Sequence, residues 1–88
     1  MITVKGYLWG GVVEYEKYPD SPCETNEANV EIILPDGWTY EPIGGDIFNK
    51  AGDTIMWIEE AKNKKYLKAH YMDEDENYKW TKLQYKNL

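Results

Sequence analysis

Apolar and polar residues alternate along two segments near the amino terminus. Residues 2–9 place Ile2, Val4, Gly6 and Leu8 on one face, with a period of two that is typical of a half-buried strand. Gly10-Gly11 follows, and consecutive glycines supply the positive φ angles of a tight hairpin turn. The alternation resumes over 12–18, so we predict two antiparallel strands joined by this turn.

The next part of the chain contains a break and then a further strand. Residues 19–27 carry two prolines and no periodicity, which predicts a loop with Cys23 in its middle. Apolar and polar residues alternate again over 28–34 and indicate a third strand. Pro35-Asp36-Gly37 is a strong turn signal, after which 38–41 is predicted as a short returning strand.

The densest run of large apolar side chains spans Thr54 to Ile58. Because the run is short and apolar at consecutive positions, we expect a central strand that is buried on both faces. The same pattern predicts four further elements: a polar turn at 62–65, a strand over 67–71, an exposed turn at 73–77 and a last strand over 78–85.

These elements predict a mainly β fold, a small antiparallel sheet or barrel of five to seven strands. One short helix fits within it, because Asp46 could cap a helical turn over 47–50, although a short strand fits the same residues. The alternative is an α+β fold with a helix in 58–72 or 74–86. Helix-favouring residues support the first helix and an acidic start supports the second, but the apolar residues of 58–72 form no single helical stripe.

Chain length limits the size of the core. The 88 residues form one expected domain, 1–88, and a chain of this size buries only about 60 % of its unfolded surface. Four Trp, eight Tyr and one Phe can fill such a small interior efficiently. We expect Trp57, Trp80 and Leu83 in the core, whereas Trp9 and Trp38 lie beside turns and are expected to be exposed.

The chain has one cysteine, Cys23, and one histidine, His70. This composition excludes a disulfide within the chain and provides no ligand set for a structural zinc ion. The amino terminus does not resemble a signal peptide, and no run of about 18 apolar residues could span a bilayer. We therefore expect a cytoplasmic protein without a cofactor or metal.

Charge is distributed unevenly between the two halves. Residues 1–49 carry nine acidic residues against two lysines, a charge of −7, and residues 50–88 carry seven against eight, a charge of +1, which together give −6. Every basic residue apart from the histidine is a lysine. Because arginine is the preferred bidentate ligand for phosphate and guanine, its absence and the net negative charge argue against direct nucleic-acid binding.

The acidic run at 73–77 resembles the start of a calcium-binding loop. Asp73, Asp75 and Asn77 match its first, third and fifth positions. The sixth position, which requires glycine, is Tyr78, and the twelfth, which requires a bidentate Glu, is Gln84. A solvated turn is therefore the favoured interpretation.

Other candidates for catalysis are equally weak. Glu59 and Glu60 are neighbours on a predicted strand, so their side chains point to opposite faces and cannot flank one bond. Cys23 and His70 lack an evident third group to orient them. The cluster Lys62, Lys64, Lys65 and Lys68 is typical of a solubilising hairpin tip. We expect the chain not to be an enzyme.

Partner binding is better supported, because acidic and aromatic side chains lie together in the first half. The carboxylates and the Trp and Tyr residues near turns predict contacts with a partner, since aromatic residues anchor protein interfaces. The predicted binding residues are Glu14, Glu16, Asp20, Glu24, Glu27, Glu31, Trp9, Trp38, Tyr18 and Tyr40.

In size, charge and composition the chain resembles the small acidic inhibitors encoded by phages and other mobile elements, including anti-CRISPR and antirestriction proteins. The resemblance implies a nucleic-acid mimic that binds a basic surface of a host protein and blocks its nucleic-acid site. The alternative function is a small β-barrel that binds a peptide, a sugar or single-stranded nucleic acid through exposed aromatic residues. A structural or assembly role is a further alternative.

Overall fold

The computed structural model describes residues 2–15, 28–41 and 43–88, which form strands, turns and loops only. The strands are β1 (Ile2–Trp9), β2 (Val12–Tyr15), β3 (Val30–Leu34), β4 (Thr39–Glu41), β5 (Asp46–Phe48), β6 (Ile55–Glu60), β7 (Leu67–Met72) and β8 (Tyr78–Asn87). These ranges contain no helix, so the mainly β prediction is confirmed and the alternative helices in 58–72 and 74–86 are wrong.

Six of these strands close into an antiparallel barrel with the order β1-β2-β6-β7-β8-β3. The circle closes because β3 pairs with both β1 and β8. Closure gives each of the six strands a neighbour on both sides, which limits pairing of the sheet with other chains. The predicted barrel of five to seven strands is therefore confirmed.

The first hairpin has the predicted geometry. Gly10 and Gly11 have φ angles of 62° and 83°, and β1 pairs with β2 so that Trp9 lies opposite Val12. Gly6, in the middle of β1, is required for close packing, because a Cβ there would lie 2.9 Å from Cγ1 of Val13.

Strands β4 and β5 form a separate two-stranded sheet. The strand predicted after the turn at 35–37 is present as β4, but it pairs with β5 and does not return along β3. Residues 46–48 are consequently a strand and not a helical turn. Trp38 and Ile47 join the core cluster, and Trp38 is only 7 % exposed, so its predicted exposure is wrong.

The apolar run in β6 is buried on one face only. Ile55 and Ile58 point into the barrel, whereas Met56 and Trp57 are 45 % and 39 % exposed. A register shift between Ile55 and Trp57 in the pairing with β7 accompanies this arrangement. The prediction of burial on both faces fails because a strand in a closed barrel has one interior face, and Met56 and Trp57 lie on its outside.

The last strand repeats this difference between inside and outside. Leu83 is fully buried, as predicted. Trp80 is 46 % exposed, so its assignment to the core is wrong, like that of Trp57.

Some predictions fall outside the described residues. The loop predicted over 19–27, with Cys23, and the predicted end of the second strand at 16–18 lie there. Within the described residues, no helix is long and apolar enough to cross a membrane.

Candidate partner-binding surface

The structure describes half of the predicted binding residues. Glu16, Tyr18, Asp20, Glu24 and Glu27 lie outside the described residues. Of the others, Trp38 is buried and Tyr40 packs, half-buried, against the core. Glu31 lies on the other side of β1 from Glu14. Only Trp9 and Glu14 come together on one surface.

The meeting point of Trp9 and Glu14 is a groove on the outer face of the first hairpin, here called the Trp9 groove. It has a volume of about 100 Å³ and is lined by Tyr7, Trp9, Val12 and Glu14. Tyr7 lies directly opposite Glu14, and Trp9 directly opposite Val12. The Tyr7 and Trp9 rings are nearly parallel, with 5° between their planes and 6.3 Å between their centroids.

The two described carboxylates of the predicted set differ in their contacts. Oε1 of Glu31 lies 3.3 Å from Nζ of Lys86, so an ion pair already occupies this carboxylate. No described lysine or histidine lies within ion-pair distance of Glu14, which is exposed at the groove. Glu14 is therefore the better placed of the two to receive an external cation.

A second aromatic surface covers the outside of the last three barrel strands, and the predicted binding set did not include it. Trp57 lies opposite His70, and His70 opposite Trp80, so these rings form a row across β6, β7 and β8. We call this surface the β6–β8 face, and its members are Met56, Trp57, Glu59, Tyr66, Lys68, His70, Met72, Tyr78, Trp80 and Lys82.

His70 is the most constrained member of the β6–β8 face. Its Nε2 lies 2.7 Å from Oε1 of Glu59, and its Nδ1 lies 3.1 Å from the Tyr78 hydroxyl. Trp57 stacks on the imidazole with 4.5 Å between ring centroids. A neutral imidazole satisfies both contacts when Nε2–H donates to Glu59 and Nδ1 accepts from Tyr78. Desolvation and the negative charge of Glu59 raise the pKa of Tyr78 above 10.0.

Lysines cover two rings at the other end of this face. Tyr66 and Trp80 stack with 6.4 Å between centroids and 11° between planes. Nζ of Lys68 lies 4.7 Å from the Trp80 ring centre, and Nζ of Lys82 lies 4.8 Å from that of Tyr66. Both distances are within the range of a cation–π contact.

One signal in the sequence would have placed these residues on the outside. Lys68 alternates with the buried Leu67 and Ala69, which assigns Lys68 and, two residues later, His70 to the outer face. Trp80 and Lys82 have the same spacing in β8. A lysine two residues from an aromatic residue on a strand therefore indicates the outer face, where Trp80 is exposed but His70 is only 7 % exposed because Trp57 stacks on it.

The acidic turn after β7 is structural. Oδ1 of Asp73 accepts hydrogen bonds from the backbone N–H groups of Asp75 and Asn77, and its Oδ2 lies 2.9 Å from Nζ of Lys79. The described residues contain no group of three or more His, Cys, Asp or Glu side chains that could hold a metal ion. The oxygens of Asp73 are thus committed to the turn.

The Trp9 groove and the β6–β8 face belong to one series of neighbouring strands. Val12, in the groove, pairs with Glu59, whose carboxylate contacts His70. We call the two surfaces together the outer aromatic band.

Protein-family models, curated proteins and solved structures give no match to the chain.

Proposed function

We propose that this protein is a binding module, not an enzyme, and that it docks onto a partner protein through the outer aromatic band. The observation that carries the proposal is the placement of large apolar side chains on the outside of successive strands. Trp9 is 74 % exposed, and Trp57, Tyr78 and Trp80 are also exposed. Exposed apolar surfaces bordered by polar groups are typical of interaction sites, and Trp and Tyr supply most of the affinity in many interfaces.

Charge indicates which kind of partner fits. The chain carries a net charge of −6, and Glu14 lies at the Trp9 end of the band. Glu59 lies directly opposite Lys68, and Lys68 lies opposite Lys82, so the lysines occupy β7 and β8. A partner that presents basic groups to the Trp9 end would be attracted and oriented by this arrangement.

A finer hypothesis follows from the same charge. The partner is a nucleic-acid enzyme of a host cell, and the module blocks its nucleic-acid site in the manner of a phage-encoded inhibitor. The support for this hypothesis is the small size of the chain and its net acidity. A partner of this class presents a basic site, which fits the Trp9 end of the band.

To test the proposal, the chain is immobilised and a bacterial lysate is passed over it. Bound proteins are eluted along a salt gradient and identified by mass spectrometry. Trp9→Ala and Trp80→Ala are compared with Thr3→Ala and Gln84→Ala, which alter exposed positions on the same two strands. We expect one captured protein to be lost with the Trp variants, kept with the controls and released as salt rises.

The captured protein is then purified and its affinity measured. Loss of an interface anchor should raise Kd by about 30-fold, while the controls leave it unchanged. Equal capture by all four variants would show that the outer aromatic band is not the binding surface. Circular dichroism of each variant confirms that the barrel is folded.

A second candidate function has its own observation. The stacked Tyr66 and Trp80 rings, with the ammonium groups of Lys68 and Lys82 above them, have the composition of a platform for single-stranded nucleic acid. Bases would stack on the rings, and the displaced lysines would contact phosphates. The net negative charge of the chain opposes this binding.

Fluorescence anisotropy with a labelled oligothymidine separates this candidate from the first. Binding that weakens with salt and is lost in Trp80→Ala, but is kept in Trp9→Ala, would support the nucleic-acid platform. Absence of binding at low salt would exclude it.

A further inference from the structure

The Trp9 groove has a combination of side chains that recognises cations. Two parallel aromatic rings, Tyr7 and Trp9, lie next to the carboxylate of Glu14. We propose that the groove is a receptor for one arginine side chain of a basic peptide segment, with lysine as a weaker ligand. The inference rests on the proposed function, because it specifies the group that the partner presents.

The size of the groove indicates a single side chain. Its volume of about 100 Å³ is well below the ~300 to 1,000 Å³ of ordinary small-molecule sites. The turn beside it is uncrowded, because no described atom lies within 4 Å of a Cβ built at Gly10 or Gly11. A side chain projecting from a partner can therefore enter without displacing a described residue of the turn.

The chemistry of the walls selects a planar cation. A guanidinium group stacks on aromatic faces and also offers paired N–H donors to a carboxylate. Because Glu14 lies directly opposite Tyr7, a guanidinium stacked on the rings would reach the carboxylate from the same position. An ammonium group can make both contacts but lacks the flat face and the paired donors.

Competition for the Glu14 carboxylate from cations within the described residues is low. Lys5 precedes Tyr7 by two residues on the same face of β1, but its neighbour in the register of β3 is Glu31. No described cation lies within ion-pair distance of Glu14. Glu59 pairs in register with Val12, but its carboxylate contacts His70 and it lies opposite Lys68, so Glu14 supplies the negative charge of the groove.

The inference is tested by nuclear magnetic resonance with a tetra-arginine amide as the probe. Tetra-citrulline amide is the neutral control of nearly the same shape, and tetra-lysine amide tests the preference. We expect the largest chemical-shift change at the Trp9 indole N–H, assigned with Trp9→Phe, and little change with citrulline. Glu14→Gln should weaken binding about threefold, whereas Glu31→Gln, at a carboxylate already paired with Lys86, should leave it unchanged.

The results distinguish failure of this inference from failure of the proposed function. Equal shifts with citrulline, equal weakening by Glu31→Gln, or shifts spread over the indoles of Trp57 and Trp80 would overturn the cation receptor. If these results occur while capture of a partner still requires Trp9, the groove is an apolar anchor and the binding function stands. If arginine binds as expected but no partner depends on Trp9, the receptor stands and the proposed function fails.

Discussion

The side chain of Asn29 pairs with the backbone of Leu8 as a neighbouring strand would. Its Oδ1 accepts a hydrogen bond from Leu8 N at 2.7 Å, and its Nδ2 donates to Leu8 O at 3.1 Å. Leu8 lies between Tyr7 and Trp9, so this contact fixes the part of β1 that carries the Trp9 groove. The backbone N–H of Asn29 also donates to Gly6 O and continues the pairing of β1 with β3.

Removal of this amide should therefore loosen the groove. Asn29→Ala is expected to lower the free energy of unfolding by about 1 kcal/mol, because both backbone groups of Leu8 lose their partner. Asn29→Asp keeps the acceptor, but it places a carboxylate oxygen against the Leu8 carbonyl oxygen, so near neutral pH it should cost at least as much as Asn29→Ala. Chemical denaturation measures both, and Gln84→Ala is the exposed amide control. Equal stability of Asn29→Ala and the wild type would show that water replaces the side chain fully.

The one-sided burial of β6 gives a prediction from two nearby residues. Ile58 is fully buried, whereas Met56 is 45 % exposed on the outside. Ile58→Ala should cost about 2 to 5 kcal/mol because it leaves a cavity in the core. Met56→Ala should stay within about 0.5 kcal/mol of the wild type. Similar losses in both variants would contradict the orientation of β6.

The fold could be predicted from the sequence wherever alternation was regular. The pattern of Val4, Gly6 and Leu8, the Gly10-Gly11 turn and the buried Leu83 all agree with the structure. The failures lie where residue size was used in place of alternation. Trp57 and Trp80 are predicted in the core, yet both lie on the outer face of the barrel, 39 % and 46 % exposed.

The candidate site was predictable only in part. Trp9 and Glu14 were identified, but their meeting depends on the register of β1 with β2, which the turn at Gly10-Gly11 sets. Trp38 could not be placed from its sequence position, because its burial depends on the pairing of β4 with β5. The stacking of Trp57 on His70 likewise depends on the register shift in β6, for which the sequence has no evident signal.

Fluorescence quenching tests the placement of the four tryptophans. Trp9 is 74 % exposed and Trp38 is 7 % exposed, with Trp57 and Trp80 between them. With a neutral quencher, Trp9→Phe should remove the most accessible emission and Trp38→Phe the least accessible. A shielded Trp9 or a readily quenched Trp38 would contradict the structure. Because each variant replaces one ring with another, unfolding curves measured alongside show whether quenching reports position or loss of structure.

The acidic turn after β7 should contribute stability with a defined pH dependence. The hydrogen bond from Lys79, followed by the backbone hydrogen bond from Asn77, lowers the pKa of Asp73 below 3.8, and the bond to Asp73 raises the pKa of Lys79 above 10.5. The contribution of the Asp73 charge is therefore present above pH 3.8 and lost as pH falls through the lowered pKa. That of Lys79 is present below pH 10.5 and lost as pH rises through the raised pKa.

Two substitutions of Asp73 separate the ion pair from the turn. Asp73→Asn keeps an oxygen that can accept from the backbone N–H groups of Asp75 and Asn77, but it removes the charge. It should be slightly less stable than the wild type at neutral pH, and the difference should disappear in acid. Asp73→Ala also removes the acceptor, so it should be the least stable variant at every pH. Denaturation midpoints across the pH range measure these differences. Glu31→Gln, which removes the ion pair with Lys86, is the control for the loss of an ion pair elsewhere in the barrel. A gap between wild type and Asp73→Asn that persists in strong acid would show that the charge is not its cause.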